Sequence, residues 1–473
     1  MEQIAGLPLS PVSGPTLCRS QRRIRGRVRP RTAADVAAVV RACAEQRWPL
    51  HPVSGGKNWG MGSYLPDHDD CVLLDLSALK TIGPIDRDAG SVRIEAGVTQ
   101  KELYDWLQRE APEFAFNVTG AGKDTSIVGN ALERGLGYEG SRAAEFFGLE
   151  AVLSDGTEHR PGEPWFTRTG MIPAGPRIEA LFSQSNLAVV TAGWLKLRRR
   201  CESEMAVVIS GELRPVFDTV AEAYRRGLLM LPVHMAGNAR ADAIAGGLLR
   251  LLWGRKATLA EIRRVFPTSS QQTALAALHG TSRMNRTALA EIRRLAGKGV
   301  KVRSVTENRL VGTATWLRRL GLVNKATFLE AIRPLLALTW GEPTDAGLAS
   351  LAVENPDTAA QGCIYFSAVT PSRFDPSAAV EAELQALGAS YALTRYFMAP
   401  DVLVHVVSVE FEPNRQPEVV AQLRRLGELL RGKGWPPYRL GVPTMTGTGS
   451  RLAHLIKQTL DSAGMISPAH YIA

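Results

Sequence analysis

Pro52-Val53-Ser54-Gly55-Gly56-Lys57-Asn58-Trp59-Gly60-Met61-Gly62, read directly after the run at Leu50, is the stretch on which the fold turns. Backbone amides approach a phosphate closely only where side chains are absent, so glycine at 55, 56, 60 and 62 suits an anion nest. The same composition also suits a tight turn leaving a strand, and one loop does not choose between the two. Neither this loop nor the later glycine-rich region is a Rossmann fingerprint, since GxGxxG followed by a helix is absent, and no GxxxxGK[ST] string occurs.

Working outward, Thr32 is placed to cap a helix whose Val36, Val39, Val40 and Cys43 share one apolar face. Pro49 ends that helix, and Leu50 to Ser54 reads as a short strand. Downstream come a strand at Cys71 to Leu76, a hairpin of Thr81 to Asp86 with Ser91 to Ala96, and a second helix. Thr99 and Glu102 form its capping box, and Leu103, Trp106 and Leu107 are its expected buried face. A second glycine-rich region spans Asn117 to Gly140. Phe147 to Val152 and Ala188 to Leu197 read as strands enclosing the 160–185 loop. Beyond about Ala206 longer helical patterns dominate, with strands at Gly362 to Val369 and Val402 to Phe411. One octamer nearly recurs, at 257–264 and 287–294, and two copies read as similar surface helices rather than a solenoid.

Composition bounds the function. At 473 residues the chain exceeds one ordinary core, so two domains are the natural expectation. The 45% apolar and 22% charged content is that of a globular protein rather than a disordered one. No apolar run reaches membrane-spanning length, and the first residues lack the basic start and apolar centre of a secretion signal. Scattered cysteines (Cys18, Cys43, Cys71, Cys201 and Cys363) fit a reducing, cytoplasmic setting with neither a zinc site nor a disulfide framework. The net charge of +10 comes from short basic pairs and triplets, Arg198 to Arg200 among them, read as helix faces. That pattern points to solvated surfaces and an anionic cofactor, not to nucleic acid or a membrane.

The order of the motifs is more specific than any one of them. PVSGGKNWGMG is followed by IEAGVTQKELYDWL, DTSIVGNALERGLGY, FFGLEAVLSDGTEHR, LFSQSNLAVVTAGWLKL and a closing TLDSAGMISPAHY. This series resembles the vanillyl-alcohol oxidase and p-cresol methylhydroxylase family over essentially the whole chain. The resemblance implies an α+β fold with an FAD-binding domain at 1–205, a substrate-covering cap at 206–434, and a C-terminal segment, 435–473, returning to the FAD domain. The cap is expected to carry an antiparallel sheet flanked by helices.

The resemblance also implies a cofactor site. Pro52, Ser54, Gly55, Gly56, Lys57 and Asn58 would meet FAD from the first loop. Thr119, Asp124, Thr125, Ser126, Gly129 and Asn130 would meet it from the second, with the hydroxyls of Ser54, Thr125 and Ser126 on the diphosphate. Arg134, Gly135 and Gly137 would pass beside the ring system, and Val190 would lie by the adenine. His470 would stand over the pyrimidine edge with a pH-dependent charge. Relatives often tether the flavin through histidine or tyrosine. Here Lys57 follows the two glycines, and 353–361 offers no histidine, tyrosine or cysteine, so the implied FAD is dissociable. Lys57 either meets phosphate or faces solvent. Asp124 either makes an Asx turn or acts as a base.

On the substrate side the family's phenol-binding pair appears as Tyr438-Arg439, with Tyr138 as a proton relay, a stacking wall or a packed core residue. A permanently charged arginine lowers a phenol's pKa and so assists loss of hydride from the benzylic carbon. Three departures stand against a simple phenol oxidase: Met61 where the family carries a tyrosine, Ala121 where one member carries an aspartate, and Ala469-His470 in the tail. The reading is hydride removal from a phenolic or other aromatic alcohol, alkyl or amine group, with an oxidase of a larger alcohol or amine in secondary metabolism as the rival that Met61 and Ala121 suit. The electron acceptor implied is oxygen or a redox protein, and a homodimer fits the family. An electron-transfer subunit needing a partner is the alternative of another class. His405, in an alternating strand, reads as structural, and Cys363 reads as core.

Overall fold

The computed structural model describes all residues except 1–2, 13–21, 63, 65, 163, 172–177, 231, 267–271, 351–361, 373–375, 387, 389, 400, 446–448 and 473. The first glycine loop is launched by a small parallel sheet. Its central strand, Cys71–Asp75, pairs with Ile24–Val28 on one side and Leu50–Val53 on the other. Helix Ala33–Gln46 covers it with the expected face: Val36, Val39, Val40 and Cys43 are fully buried. Thr32 accepts from the Asp35 amide and the Asp35 side chain reciprocates, a complete capping box.

The C-terminal segment completes this layer. The Leu50 amide donates to the Met465 carbonyl, 2.9 Å, and the Ser467 amide donates to the Leu50 carbonyl, 2.7 Å. The tail is pinned by Lys457, whose buried ammonium reaches the Asp461 carboxylate and the carbonyls of Asn186 and Ile466. A buried cation is tolerated only with such a full set of acceptors.

A five-stranded antiparallel sheet runs in the order Glu158–His159, Phe146–Val152, Val189–Lys196, Ser91–Glu95, Ile82–Asp86. Helix Gln100–Glu110 starts from the expected capping box of Thr99 and Glu102 and buries Leu103 and Leu107. Trp106, expected on that face, is only half-buried. The string Gly135-Leu136-Gly137-Tyr138-Glu139-Gly140 has dinucleotide-loop spacing, but it leads into a single 3-10 turn, Arg142–Ala144, and then a strand.

A seven-stranded antiparallel sheet begins at Ser203 and forms the second layer. Its order is Lys301–Thr306, Ser203–Gly211, Gln272–Gly280, Val233–Ala236, Ser390–Ala399, Val402–Phe411, Gly362–Thr370. Strand alternation divides its residues between two faces. Val207, Ile209, Met235, Ala274 and Phe397 pack beneath helices Leu213–Arg225 and Ser282–Leu295. On the other face Val208, Leu275, His234 and Tyr396 are register neighbours across four strands. Cys363 is buried near the start of its strand, and His405 is fully buried, its Nε2 2.7 Å from the Thr370 hydroxyl.

The basic triplet at 198–200 is a correction to the helical reading. Arg198–Arg199 form a short strand paired with Phe114–Ala115. Arg198 is then an interior ion-pair residue, bonded to Glu139 and Glu204 at 2.6 and 2.5 Å. The near-repeat octamers fall on helices: 259–264 of the first lie in Leu259–Val265, capped by Thr258, and the second lies in Ser282–Leu295.

Candidate active site

Between the glycine loops and the open face of the seven-stranded sheet lies a cavity of about 550 Å³. One end is walled by the first loop (Pro52, Ser54, Gly56, Lys57, Asn58) and by Val190. The second loop adds Thr119, Thr125, Ser126, Gly129, Asn130 and Gly135. The other end is walled by Tyr138, Tyr365, Tyr396, Tyr438, His234 and Arg439. The sequence therefore brings most of its implied cofactor residues and all three implied catalytic residues to one space.

The first loop has the shape a diphosphate needs. Gly55 and Gly56 sit at φ +116° and +68°, which side chains rarely adopt. Short helix Ile127–Leu132 approaches so closely that a methyl on Gly129 would stand 2.7 Å from the Ser54 Oγ. The amides of Gly55 and Gly56 have no partner among the described residues, and neither does the Ser54 hydroxyl. These residues fit an anionic group held by neutral donors.

Several implied contacts are corrected. The Thr125 hydroxyl donates to the Ala121 carbonyl, 2.6 Å, and the Ser126 hydroxyl to the Ala96 carbonyl, 2.7 Å. Their protons are already engaged in shaping the loop, and Ser126 also caps Gly129. Asp124 lies outside the cavity: exposed, it pairs with Lys123 at 2.7 Å, and Lys123 also meets Asp345. Gly55, Arg134 and Gly137 do not line the cavity either. Gly137 lacks a side chain because a methyl there would overlap the Asn117 side chain.

His470 is a further correction. It is 1% exposed, its ring 4.8 Å from that of His51, behind the cavity wall. Burial lowers its pKa to about 4, so the ring is neutral near pH 7 and supplies no charge there. Asp67 lies 3.4 Å away, its pKa shifted upward by its own burial, and the neutral ring gives it no charge to pair with near pH 7. The 353–361 approach to the cap strand lies outside the described residues.

At the substrate end Tyr438 is spoken for. Its hydroxyl donates to the Arg134 carbonyl, 3.2 Å, while Arg134 Nη1 donates to the Tyr438 carbonyl, 2.9 Å. The Arg134 guanidinium covers the Tyr438 ring at 4.5 Å, a cation–π contact. Arg439 is less committed. Its guanidinium stands 3.6 Å from Glu133, which also accepts from the Tyr471 hydroxyl, and its Nε is buried without a partner among the described residues.

Sequence reading missed Tyr365, Tyr396, His234 and Arg240. The hydroxyls of Tyr138, Tyr365 and Tyr396 make no hydrogen bond among the described residues, and burial raises the pKa of all three. His234 stacks on Tyr138 with ring centres 3.9 Å apart and meets the Tyr396 ring edge-on at 4.4 Å. Burial lowers its pKa to about 3, against the opposing pull of the Gly137 carbonyl. The available signal was strand alternation, which places His234 opposite Val233 and Met235 and places Tyr365 opposite Ile364 and Phe366.

Residues 24–162 match the FAD binding domain family. The structure superposes on 4-ethylphenol oxidase from Gulosibacter chungangensis with a TM-score of 0.78 at 20% identity, covering 97% of this chain and 91% of that one. It superposes on substrate-bound p-cresol methylhydroxylase with a TM-score of 0.77 at 21% identity, covering 95% and 89%. The chain is an FAD-dependent oxidoreductase that shares the fold of these two structures over nearly its whole length. Over 494 aligned residues it is 26% identical to 1'-carboxy-chondrochloren decarboxylase of Chondromyces crocatus, covering 95% of this chain and 90% of that protein.

Proposed function

We propose that the protein removes a hydride from a phenolic or other aromatic alcohol, alkyl or amine substrate and passes it to FAD. The observation that carries this reading is the substrate end of the cavity: a buried Arg439 Nε without a partner beside three unpartnered tyrosine hydroxyls. Bound FAD supplies a two-electron acceptor for the hydride. Its diphosphate would be held by the Gly56 amide and the Ser54 hydroxyl, both on the cavity wall. With Lys57 in the loop rather than histidine, the FAD is held without a covalent bond.

The chain's own part is positioning and charge. Tyr138 and Tyr396 offer rings and donors around an aromatic substrate, and His234, between them on the same wall, packs against both. Arg439 stabilises a phenolate as its proton leaves, and the electron-rich ring then releases hydride from the benzylic carbon to give a quinone methide. Because the Tyr438 hydroxyl is engaged with Arg134, Tyr396 replaces it as the tyrosine that works with Arg439. Reacting atoms must come within about 3–3.5 Å, so this wall decides which carbon faces the flavin.

A larger, carboxylated intermediate of secondary metabolism is the second reading. The relative matched over nearly the whole chain is named as a decarboxylase, and Met61 and Ala121 leave more room than tyrosine and aspartate would. The test is anaerobic mixing of the FAD-loaded protein with phenols, aryl alcohols, aryl amines and their carboxylated analogues. Bleaching of the flavin by a phenol or aryl alcohol supports the first reading, and bleaching by carboxylated substrates alone supports the second. An oxidised flavin with every compound contradicts both.

A further inference from the structure

Three cationic groups, Lys57, Arg240 and Arg439, and one carboxylate, Glu133, line the cavity among the described residues. Lys57 belongs to the phosphate loop, and Arg439 faces Glu133. Arg240 has neither assignment. It lies in the first turn of helix Asn238–Trp253, half-buried, with no hydrogen bond or ion pair among the described residues. The acidic residue of the same helix, Asp242, is engaged with Arg263 at 3.1 Å.

Fold stability does not account for this arginine. A cation in the first turn opposes the helix dipole. Its neighbours on the cavity wall, Ala241, Ile244, Ala245 and Leu248, are apolar, and Coulomb interactions gain strength in such surroundings. An unpaired cation there is stabilised by an incoming anion. The Arg240 charge also reaches two of the unpartnered tyrosines: it lowers the pKa of Tyr365 and Tyr396 against the upward pull of their burial.

We infer that Arg240, with the hydroxyls of Tyr365 and Tyr396, forms a carboxylate-binding subsite in the cavity wall that selects acidic aromatic substrates. One planar guanidinium matches a carboxylate with two parallel hydrogen bonds, and the tyrosine hydroxyls add neutral donors. A dianionic phosphate would leave one charge without a partner at this wall. Tyr396 is within reach of both guanidinium charges, so the subsite adjoins Arg439 and one substrate meets both: its reacting ring lies by Arg439 and its acidic group by Arg240. The inference rests on the reading of this cavity as the oxidation site.

The test uses FAD-loaded protein and calorimetric binding of hydroxyphenylpropanoate and its uncharged methyl ester. The acid is expected to bind on the order of tenfold more tightly than the ester. In Arg240→Gln that ratio falls to about one with ester affinity kept, and Arg240→Lys keeps part of it. FAD content and the thermal transition of each variant establish that it is folded. An equal affinity for acid and ester in the unaltered protein, or an unchanged ratio in Arg240→Gln, overturns the subsite. An Arg240-dependent ratio without flavin bleaching by any substrate leaves the subsite standing and removes the oxidation reading instead.

Discussion

The His234 ring lies 3.9 Å from the Tyr138 ring at an interplanar angle of 17°, so a strand of the seven-stranded sheet is stacked directly on the second glycine-rich region. This contact joins the two walls of the cavity. His234→Ala removes it and is expected to destabilise the protein by ~1–3 kcal/mol. His234→Phe keeps the stack but leaves the Gly137 carbonyl without its donor, at ~1 kcal/mol. Denaturant unfolding of the two variants checks the order, and equal stability of both would show that the stack contributes nothing.

Three buried histidines make stability depend on acid. Burial lowers the pKa of His234 and His405 to about 3 and of His470 to about 4, all below the ordinary 6.5. The unfolded chain therefore binds more protons than the native one between those values. Stability is complete above about pH 6.5 and falls as the pH drops toward 4, by up to ~1.4 kcal/mol per pH unit for each histidine. Unfolding free energies at pH 7 and pH 5 test this, and a flat profile would show that these rings are not held neutral.

Arg439 is expected to govern phenols specifically. Arg439→Ala lowers kcat/KM for phenols by on the order of 100-fold, the loss of one fixed charge at the reacting group. Glu133→Gln leaves Arg439 without its opposing carboxylate, so phenolate binding tightens and the rising limb of the pH–rate profile moves to lower pH. Steady-state kinetics across pH report both. Unchanged turnover of every phenol by Arg439→Ala would remove the phenolate role.

Tyr365 lines the cavity from the seven-stranded sheet, and Gly60 of the first loop packs against its ring. A methyl on Gly60 would overlap the Tyr365 ring. Gly60→Ala is expected to cost ~1–3 kcal/mol through overpacking, and adding Tyr365→Ala relieves that strain. A double-mutant cycle in urea reads the coupling, and additive effects would mean that the two residues do not touch.

Much of the flavin end was legible because its constraints are local. Glycine spacing in Ser54–Gly62, the Thr32 and Thr99 caps, and the alternation in Phe146–Val152 each state a backbone geometry within a few residues. The substrate end was less so. Tyr365, Tyr396 and His234 come from three strands more than 30 residues apart in sequence or joined only through register, and nothing local says which face meets the cavity. Asp124 and Arg134 misled for the same reason: their motif placed them by FAD, whereas Lys123 holds one outside and the Tyr438 ring holds the other aside. The Tyr438–Arg439 motif was legible, but not that the Arg134 carbonyl engages the tyrosine's hydroxyl.

The central claim is dissociable FAD in this cavity, and the most direct measurement is an absorption spectrum of the FAD-loaded protein before and after acid precipitation. The account predicts flavin bands on the folded protein and their full release into the supernatant. Flavin retained in the pellet would contradict non-covalent binding, and a protein that takes up no flavin when FAD is supplied would contradict the reading of the cavity itself.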